Sequence, residues 1–264
     1  MLKRNLNIIL SKSGLYTLKI WLVEKLLPTY EIRENMKLES ARIKFYKNFL
    51  SKNDLVFDVG ANWGNRTDIF LKLGCRVVAF EPQVICSNYL KNKYKFKKCV
   101  VNQCGLGDCN EIKKFNISET NAISTFSDDF IEKTKDRFNK KWIGSTYVPI
   151  RILDSVINEY GIPKFIKIDV EGYEYQVLKG LTQKIKYICF EFTLPELIID
   201  LLNCLNQIQN LGNFSCNLIV GEETSFFFPN WIHKDELILF LEKYKTNNIT
   251  WGDIYIKMTD ETEN

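Results

Sequence analysis

LVFDVGANWGNRT (55–67) is the stretch on which the reading of this chain turns. Leu55, Val56, Phe57 and Val59 surround a single acid, Asp58, and the run then breaks into Gly60, Ala61, Asn62, Trp63 and Gly64. A buried strand that ends in a glycine turn and opens a helix presents backbone N–H groups to a bound anion. Glycine at 60 and 64 lets the backbone approach a ligand closely and take positive φ where the turn needs it. Asp58, at the strand end, suits a cationic amine. Acid on one side and helix N–H groups on the other fit an amino-acid zwitterion. The dinucleotide fingerprint G-x-G-x-x-G, counted from Gly60, would need glycines where Asn62 and Asn65 stand, and the Gly-Lys-Ser/Thr of a P-loop is absent.

Outward from this turn the same rhythm repeats. RVVAFEP (76–82) reads as a second strand ending in Glu81, 21 residues after Gly60. An acid there lies beside the first turn of a doubly wound sheet, and its two oxygens can accept both hydroxyls of a ribose. The plain alternative is a solvated strand-end glutamate. KCVVNQCGLGD (98–108) reads as a third strand with its turn, placing Cys104 and Leu106 beside an adenine. FIKIDVEG (165–172) is a strand opening into a helix to Leu181, and YICFEF (187–192) is a strand followed by a helix over about 195–210. Continuous Val/Ile/Phe runs suit strands buried on both faces of a parallel sheet. Repeated β–α–β units then make an α/β, doubly wound, mostly parallel open sheet the expected fold. NFSCNLIVG (213–221) and GDIYIKM (252–258) bracket the helix HKDELILFLEKYK (233–245) and read as a terminal strand pair.

Residues 109–150 interrupt this rhythm with a short strand near Lys113–Ile117, a polar loop and the helical stretch DDFIEKTKDRF (128–138). The first fifty residues read as helical. Leu15, Leu18, Trp21, Leu22 and Leu26 recur at helical steps up to Pro28, and a second periodic piece runs from Met36 to Leu50. The expected organisation is an N-terminal helical cap over 1–50 and one domain over 51–264, carrying an insertion at about 109–150.

Composition narrows the classes. With 264 residues, 45% apolar and 26% charged, the chain is neither disordered, collagen-like nor a small disulfide scaffold. Lys12, Lys19, Glu24 and Lys25 interrupt the longest apolar window, so no stretch spans a bilayer, and MLKRNLNIIL does not read as a signal peptide. The eight cysteines include no C-x-x-C pair and meet a single histidine, which argues against zinc and for buried reduced thiols in a cytoplasmic protein. Residues 1–50 carry ten Lys/Arg against four Asp/Glu, so the net +4 belongs to that segment. Such a flank suits peripheral contact with an acidic membrane surface, an anionic substrate or simply solvent. KNKYKFKK (91–98) lies in a helix-to-strand connection and reads as a solvated edge, so no nucleic-acid partner is expected.

Zwitterion, ribose and adenine in that order spell S-adenosyl-L-methionine. DVGANWGNRT, AFEP, VPIRILDSVI…FIKIDVEGYEYQVLKGL and FEF closely resemble the FkbM-type class I methyltransferases. The likeness runs from about residue 40 to 258 and takes in AISTFSDDFIEK and WGDIYIK. It implies a seven-stranded, Rossmann-like class I sheet and methyl transfer from S-adenosyl-L-methionine to a hydroxyl of a sugar, glycolipid or related small molecule. It assigns Asp58, Gly60, Ala61, Asn62 and Gly64 to the first cofactor motif, and Glu81 to the ribose. Thr67, on the helix that follows, is grouped with them. Asn62 stands where the common methyltransferase turn has a third glycine; DVGAN is the form FkbM-type sequences show.

The acids of IKIDVEGYEYQVLKG (166–180) supply the candidate chemistry. Asp169, Glu171 and Glu174 cluster at a strand-to-helix junction expected beside the first strand, facing the methyl donor. In-line attack on a sulfonium methyl needs an oriented hydroxyl and a group to take its proton, and a carboxylate serves. Asp169 leads, with Glu171 and Glu174 next; the plain alternative is helix-start acids favoured by the dipole. Glu191, in CFEF, could join Asp169 around a divalent ion such as Mg²⁺ or Ca²⁺, although two acids do not complete a shell. The loop Asn121–Phe126, the segment around Trp142, and Trp231 are candidates for an acceptor lid, while His233 reads as a helix-start residue. Two other function classes remain open at this level: an NAD-dependent sugar-modifying oxidoreductase and a non-catalytic nucleoside-binding module.

Overall fold

Apart from Asp58, the Leu55–Val59 stretch is apolar, and it forms a strand, β1, buried along its whole length. A computed structural model, which describes residues 30–243 and 250–259, places β1 third in a seven-stranded sheet, beside its middle strand. In chain order the elements up to the insertion are α1 (Tyr30–Tyr46), β1, α2 (Asn65–Lys72), β2 (Arg76–Phe80), α3 (Val84–Lys93) and β3 (Cys99–Asn102). The insertion holds β4 (Gly105–Gly107), β5 (Glu111–Ser118), α4 (Asp128–Phe138) and β6 (Trp142–Ile152). There follow α5 (Leu153–Tyr160), β7 (Phe165–Ile168), α6 (Glu174–Lys179), β8 (Tyr187–Thr193), α7 (Ile198–Gln209), β9 (Phe214–Val220), α8 (Lys234–Lys243) and β10 (Trp251–Met258).

The strands lie in the order β3-β2-β1-β7-β8-β10-β9. Neighbours are parallel except β10, which runs antiparallel to both β8 and β9. The chain winds outward from β1 through β2 to β3 and then returns to the other side of β1 as β7. That reversal opens a crevice at the carboxyl ends of β1 and β7, where doubly wound sheets bind ligands. The doubly wound, seven-stranded expectation is therefore met.

Alternation along the strands feeds two cores. Leu55, Phe57 and Val59 face one layer with Ile166, Ile168, Val177 and Leu178, whereas Val56 faces another with Phe70, Phe165 and Tyr255. Phe45 and Tyr46 at the end of α1, with Phe49 and Leu50 beyond it, pack into this second layer. Tyr46 meets Phe70 edge-on at 5.0 Å, and its hydroxyl lies 3.2 Å from that of Tyr255. Burying each such ring stabilises by about 2 kcal/mol, which ties α1 to the sheet. The helical stretch expected before Pro28, and the part of the basic 1–50 flank up to residue 29, lie outside the described residues.

The insertion departs from expectation. The third strand does not run through to Asp108; it stops at Asn102, and Gly105–Gly107 joins a separate three-stranded sheet ordered β4-β6-β5. Its middle strand β6, WIGSTYVPIRI, was not anticipated. Ser, Thr, Gly and an internal Pro149 make a poor strand signature. β4 pairs only from Ile150 onward, so one edge of β6 is still open at Pro149, where a missing N–H is tolerated.

Candidate active site

The turn after β1 is drawn tight against β7. Gly60 adopts φ +84°, and a Cβ there would lie 1.8 Å from the carbonyl oxygen of Asp169. No side chain fits, so glycine is what allows the two strand ends to meet. Asn62 follows with φ +47°. Gly64, at φ +83°, is required for a different reason: its Cα faces the hydroxyl of Tyr94, which donates to the Gly64 carbonyl at 3.1 Å. Asp58 is buried and accepts a hydrogen bond from the Thr67 hydroxyl. Burial pushes the Asp58 carboxyl up to about 6, with the Thr67 bond working against the rise.

Glu81 stands at the end of β2 with 2% of its surface exposed. One carboxylate oxygen accepts the Asn62 N–H and the other the Gln83 N–H, each at 2.7 Å. Burial pushes its carboxyl up to about 7, against the pull of those two bonds. Each oxygen retains a lone pair for a hydroxyl donor.

These residues border one cleft of about 600 Å³. Asp58, Gly60, Ala61, Asn62 and Glu81 line its centre, and Cys104, Leu106, Phe115, Ile123 and Phe126 make an apolar wall at one end. A planar base fits that wall. Asn121–Ser124, expected in an acceptor lid, lies at this same end.

On the far side of Gly60, β7 carries a buried lysine that sequence reading missed. Lys167 is 1% exposed and donates to Asp169 at 3.1 Å and to Asp253 on β10 at 2.8 Å. Burial disfavours its charge, but Asp169 and Asp253 outweigh that and hold its pKa well above the ordinary lysine value. The signal was present: a lysine between Ile166 and Ile168 in an otherwise apolar strand, two residues before an acid.

Asp169, Glu171 and Glu191 each bring a carboxylate oxygen within 4.8 Å of the others, and all three line the cleft. Burial, then Asp169, drives the Glu171 and Glu191 carboxyls well above the usual range. Such an oxygen set suits a hard divalent cation, yet Lys167 already supplies a positive charge to Asp169.

Three expected site residues do not face the cleft. Glu174 turns its Oε1 onto the N–H groups of Val170 and Gly172 at 3.0 and 3.3 Å, so its carboxylate braces its own turn. Thr67 is fully buried beneath Asp58, and Gly64 faces Tyr94. Of the expected acceptor aromatics, Trp231 packs at 5.1 Å against Phe226 beside the layer of Val56, Phe70 and Tyr255, and Trp142 sits at the end of the small sheet opposite Ser118. Trp251 lines the cleft instead, with Arg42, Arg66, Arg137 and Glu222. His233 precedes α8, and its carbonyl accepts the Leu237 N–H as a helix-start residue does. Among the described residues, no helix is long and apolar enough to cross a membrane.

The methyltransferase FkbM domain family matches residues 58–245, a span that begins at Asp58 on β1 and takes in α8. Solved structures with a similar chain path include a precorrin-6y C5,15-methyltransferase from Geobacter metallireducens. It is 9% identical with a TM-score of 0.44, over 89% of this chain and 91% of that one. A TehB-like SAM-dependent methyltransferase from Corynebacterium glutamicum is 9% identical with a TM-score of 0.41, over 83% and 88%. A Streptococcus mutans protein described as a methyltransferase and solved with S-adenosylhomocysteine is 12% identical with a TM-score of 0.42, over 83% and 97%. No curated protein matches the chain.

Proposed function

We propose that this chain, which belongs to the FkbM methyltransferase family, methylates a hydroxyl oxygen of a small molecule or glycan with S-adenosyl-L-methionine as donor. The observation that carries this reading is the contact of the Gly60 turn with Asp169. It brings the proposed donor turn and the proposed base to the two lips of one crevice. Cys104 and Leu106 would hold the adenine, and Glu81 would accept the ribose hydroxyls. The turn Gly60–Asn62, with Asp58 beneath it, would hold the amino-acid tail. When bound, the donor supplies an activated methyl on a positive sulfur.

The protein's part is orientation and proton removal. Asp169 accepts the hydroxyl proton as the oxygen attacks. Lys167 acts through Asp169: its ammonium donates to one carboxylate oxygen and fixes the direction of the side chain. Glu171 and Glu191, with carboxyls raised by burial and by Asp169, border the reacting face and share the remaining protons of the cluster. Peripheral membrane contact through the basic N-terminal segment remains part of this proposal only as a route to a lipid-linked acceptor.

Incubating the chain and a cell extract with donor carrying a labelled methyl tests the reading. A small molecule or glycan should gain the label on oxygen, and Asp169→Asn should not transfer it. Label on nitrogen or carbon would overturn the oxygen assignment, and reduction of NAD in place of label transfer would overturn the reading altogether.

A further inference from the structure

Beyond Asp169 the cleft continues over β8, β10 and the segment after β9, two, three and four strand spacings from β1, or roughly 10–19 Å. Arg66 starts from the first turn of α2, yet its guanidinium reaches Glu222, two residues past the end of β9, at 3.4 Å. Arg42, from α1, meets the same Glu222 oxygen. Among the described residues, Glu222 is the carboxylate within ion-pair distance of both guanidiniums, and Asp253 acts on Arg66 from farther off. The exposures are unequal: the side chains of Arg42 and Arg66 are 11% and 22% exposed, whereas that of Glu222 is 54% exposed. Burial, followed by the repulsion of Arg66, lowers the Arg42 pKa, whereas Arg66, although burial disfavours its charge, is held above the ordinary arginine value by Tyr46, Asp253 and Glu222. The cations are sheltered and crowded, and their shared anion is half in water.

We propose that Arg42 and Arg66 receive a phosphate or carboxylate group of the methyl acceptor, so that the acceptor is a hydroxylated anion. This rests on the methyltransferase reading of the same cleft. Each guanidinium presents a planar fork of N–H donors that matches phosphate or carboxylate oxygens. Glu222, already solvated, gives way to the ligand at little cost. Trp251, 38% exposed at the cleft wall, offers a flat ring to the body of the acceptor. The hydroxyl to be methylated then points back toward Asp169 and Lys167. Among the described residues at this end, Lys167 is engaged by Asp169 and Asp253, and Arg137 by Glu196 and the carbonyls of Leu194 and Thr250, so the Arg42 and Arg66 pair has the positive charge to offer.

Calorimetric titration of the full chain, saturated with S-adenosylhomocysteine, with inorganic phosphate at low salt tests the inference. Wild type should bind phosphate saturably, Arg42→Gln and Arg66→Gln about ten-fold more weakly or worse, and Glu222→Gln more tightly. Glucose 6-phosphate should bind where glucose does not. Absent phosphate binding, or binding unchanged in both arginine variants, overturns the proposal. A donor arm separates the sources of the anion: the variants should bind S-adenosylhomocysteine and 5′-methylthioadenosine as wild type does. Loss of the first with retention of the second would show that the arginines hold the donor's own carboxylate, and would also overturn it. Wild type that fails to bind S-adenosylhomocysteine contradicts the methyltransferase reading itself, a distinct failure from wild type that binds it but takes no phosphate.

Discussion

The ammonium of Lys167 on β7 and the carboxylate of Asp253 on β10 lie 2.8 Å apart, across the intervening β8 and out of reach of water on the lysine side. One partner without the other would leave a buried charge uncompensated, a loss of roughly 3–5 kcal/mol. Lys167→Met should therefore destabilise the fold by about that much in urea unfolding. Lys167→Met with Asp253→Leu should recover a large part of it. A single variant as stable as wild type would mean the pair contributes nothing to the stability of the sheet.

Gly60 gives a sharper steric test. Gly60→Ala places a carbon 1.8 Å from the Asp169 carbonyl at φ +84°, so β1 and β7 must part at the crevice. We expect a loss of at least about 2 kcal/mol and a marked fall in S-adenosylhomocysteine affinity. An alanine variant with normal thermal unfolding and normal affinity would show that the two lips do not need this contact.

Much of this frame was readable from the residues. β1, β2, β7 and β8 announce themselves as apolar runs ending in Asp58, Glu81, Asp169 and Glu191, because strands buried on both faces have no polar face to interrupt them. β6 hid because half of it faces solvent and Pro149 breaks its pattern. The far end of the cleft hid for another reason. Arg42, Arg66, Glu222 and Asp253 lie on four separate elements, and nothing in their spacing says that they meet. Glu174 misled in the opposite sense: an acid at a helix start near two others reads as chemistry, while its oxygen is spent on Val170 and Gly172.

Those two roles for neighbouring acids can be separated. Glu174→Gln keeps an oxygen for the Val170 and Gly172 N–H groups and should retain methyl transfer. Glu174→Ala leaves both unpaired and should cost about 1–3 kcal/mol of stability. Asp169→Asn should instead bind S-adenosylhomocysteine normally and lose transfer of labelled methyl. Transfer abolished in Glu174→Gln at unchanged affinity would return Glu174 to the reacting atoms.

Glu81 links the site to pH. Its carboxyl sits at about 7 in the folded chain because of burial, against roughly 4.3 when unfolded. Between those values the folded state holds a proton that the unfolded state has released. The stabilisation is thus complete below about pH 4 and is lost as pH rises to about 7, a change on the order of 3 kcal/mol. Asp58 and Glu174, raised to about 6 and about 7, act in the same direction. Glu81→Gln should flatten much of the slope in urea midpoints measured from pH 4 to 8. Ribose hydroxyls prefer the ionised carboxylate, so S-adenosylhomocysteine should bind more tightly as pH rises through 7 in wild type and without that dependence in Glu81→Gln.

The most direct test of the whole account is a crystal structure of the chain with S-adenosylhomocysteine. The account predicts the ribose hydroxyls within hydrogen-bond distance of Glu81, the adenine against Leu106, and the sulfur between the Gly60 turn and Asp169. A nucleoside bound elsewhere, or a crevice that stays closed to it at saturating ligand, would contradict the account.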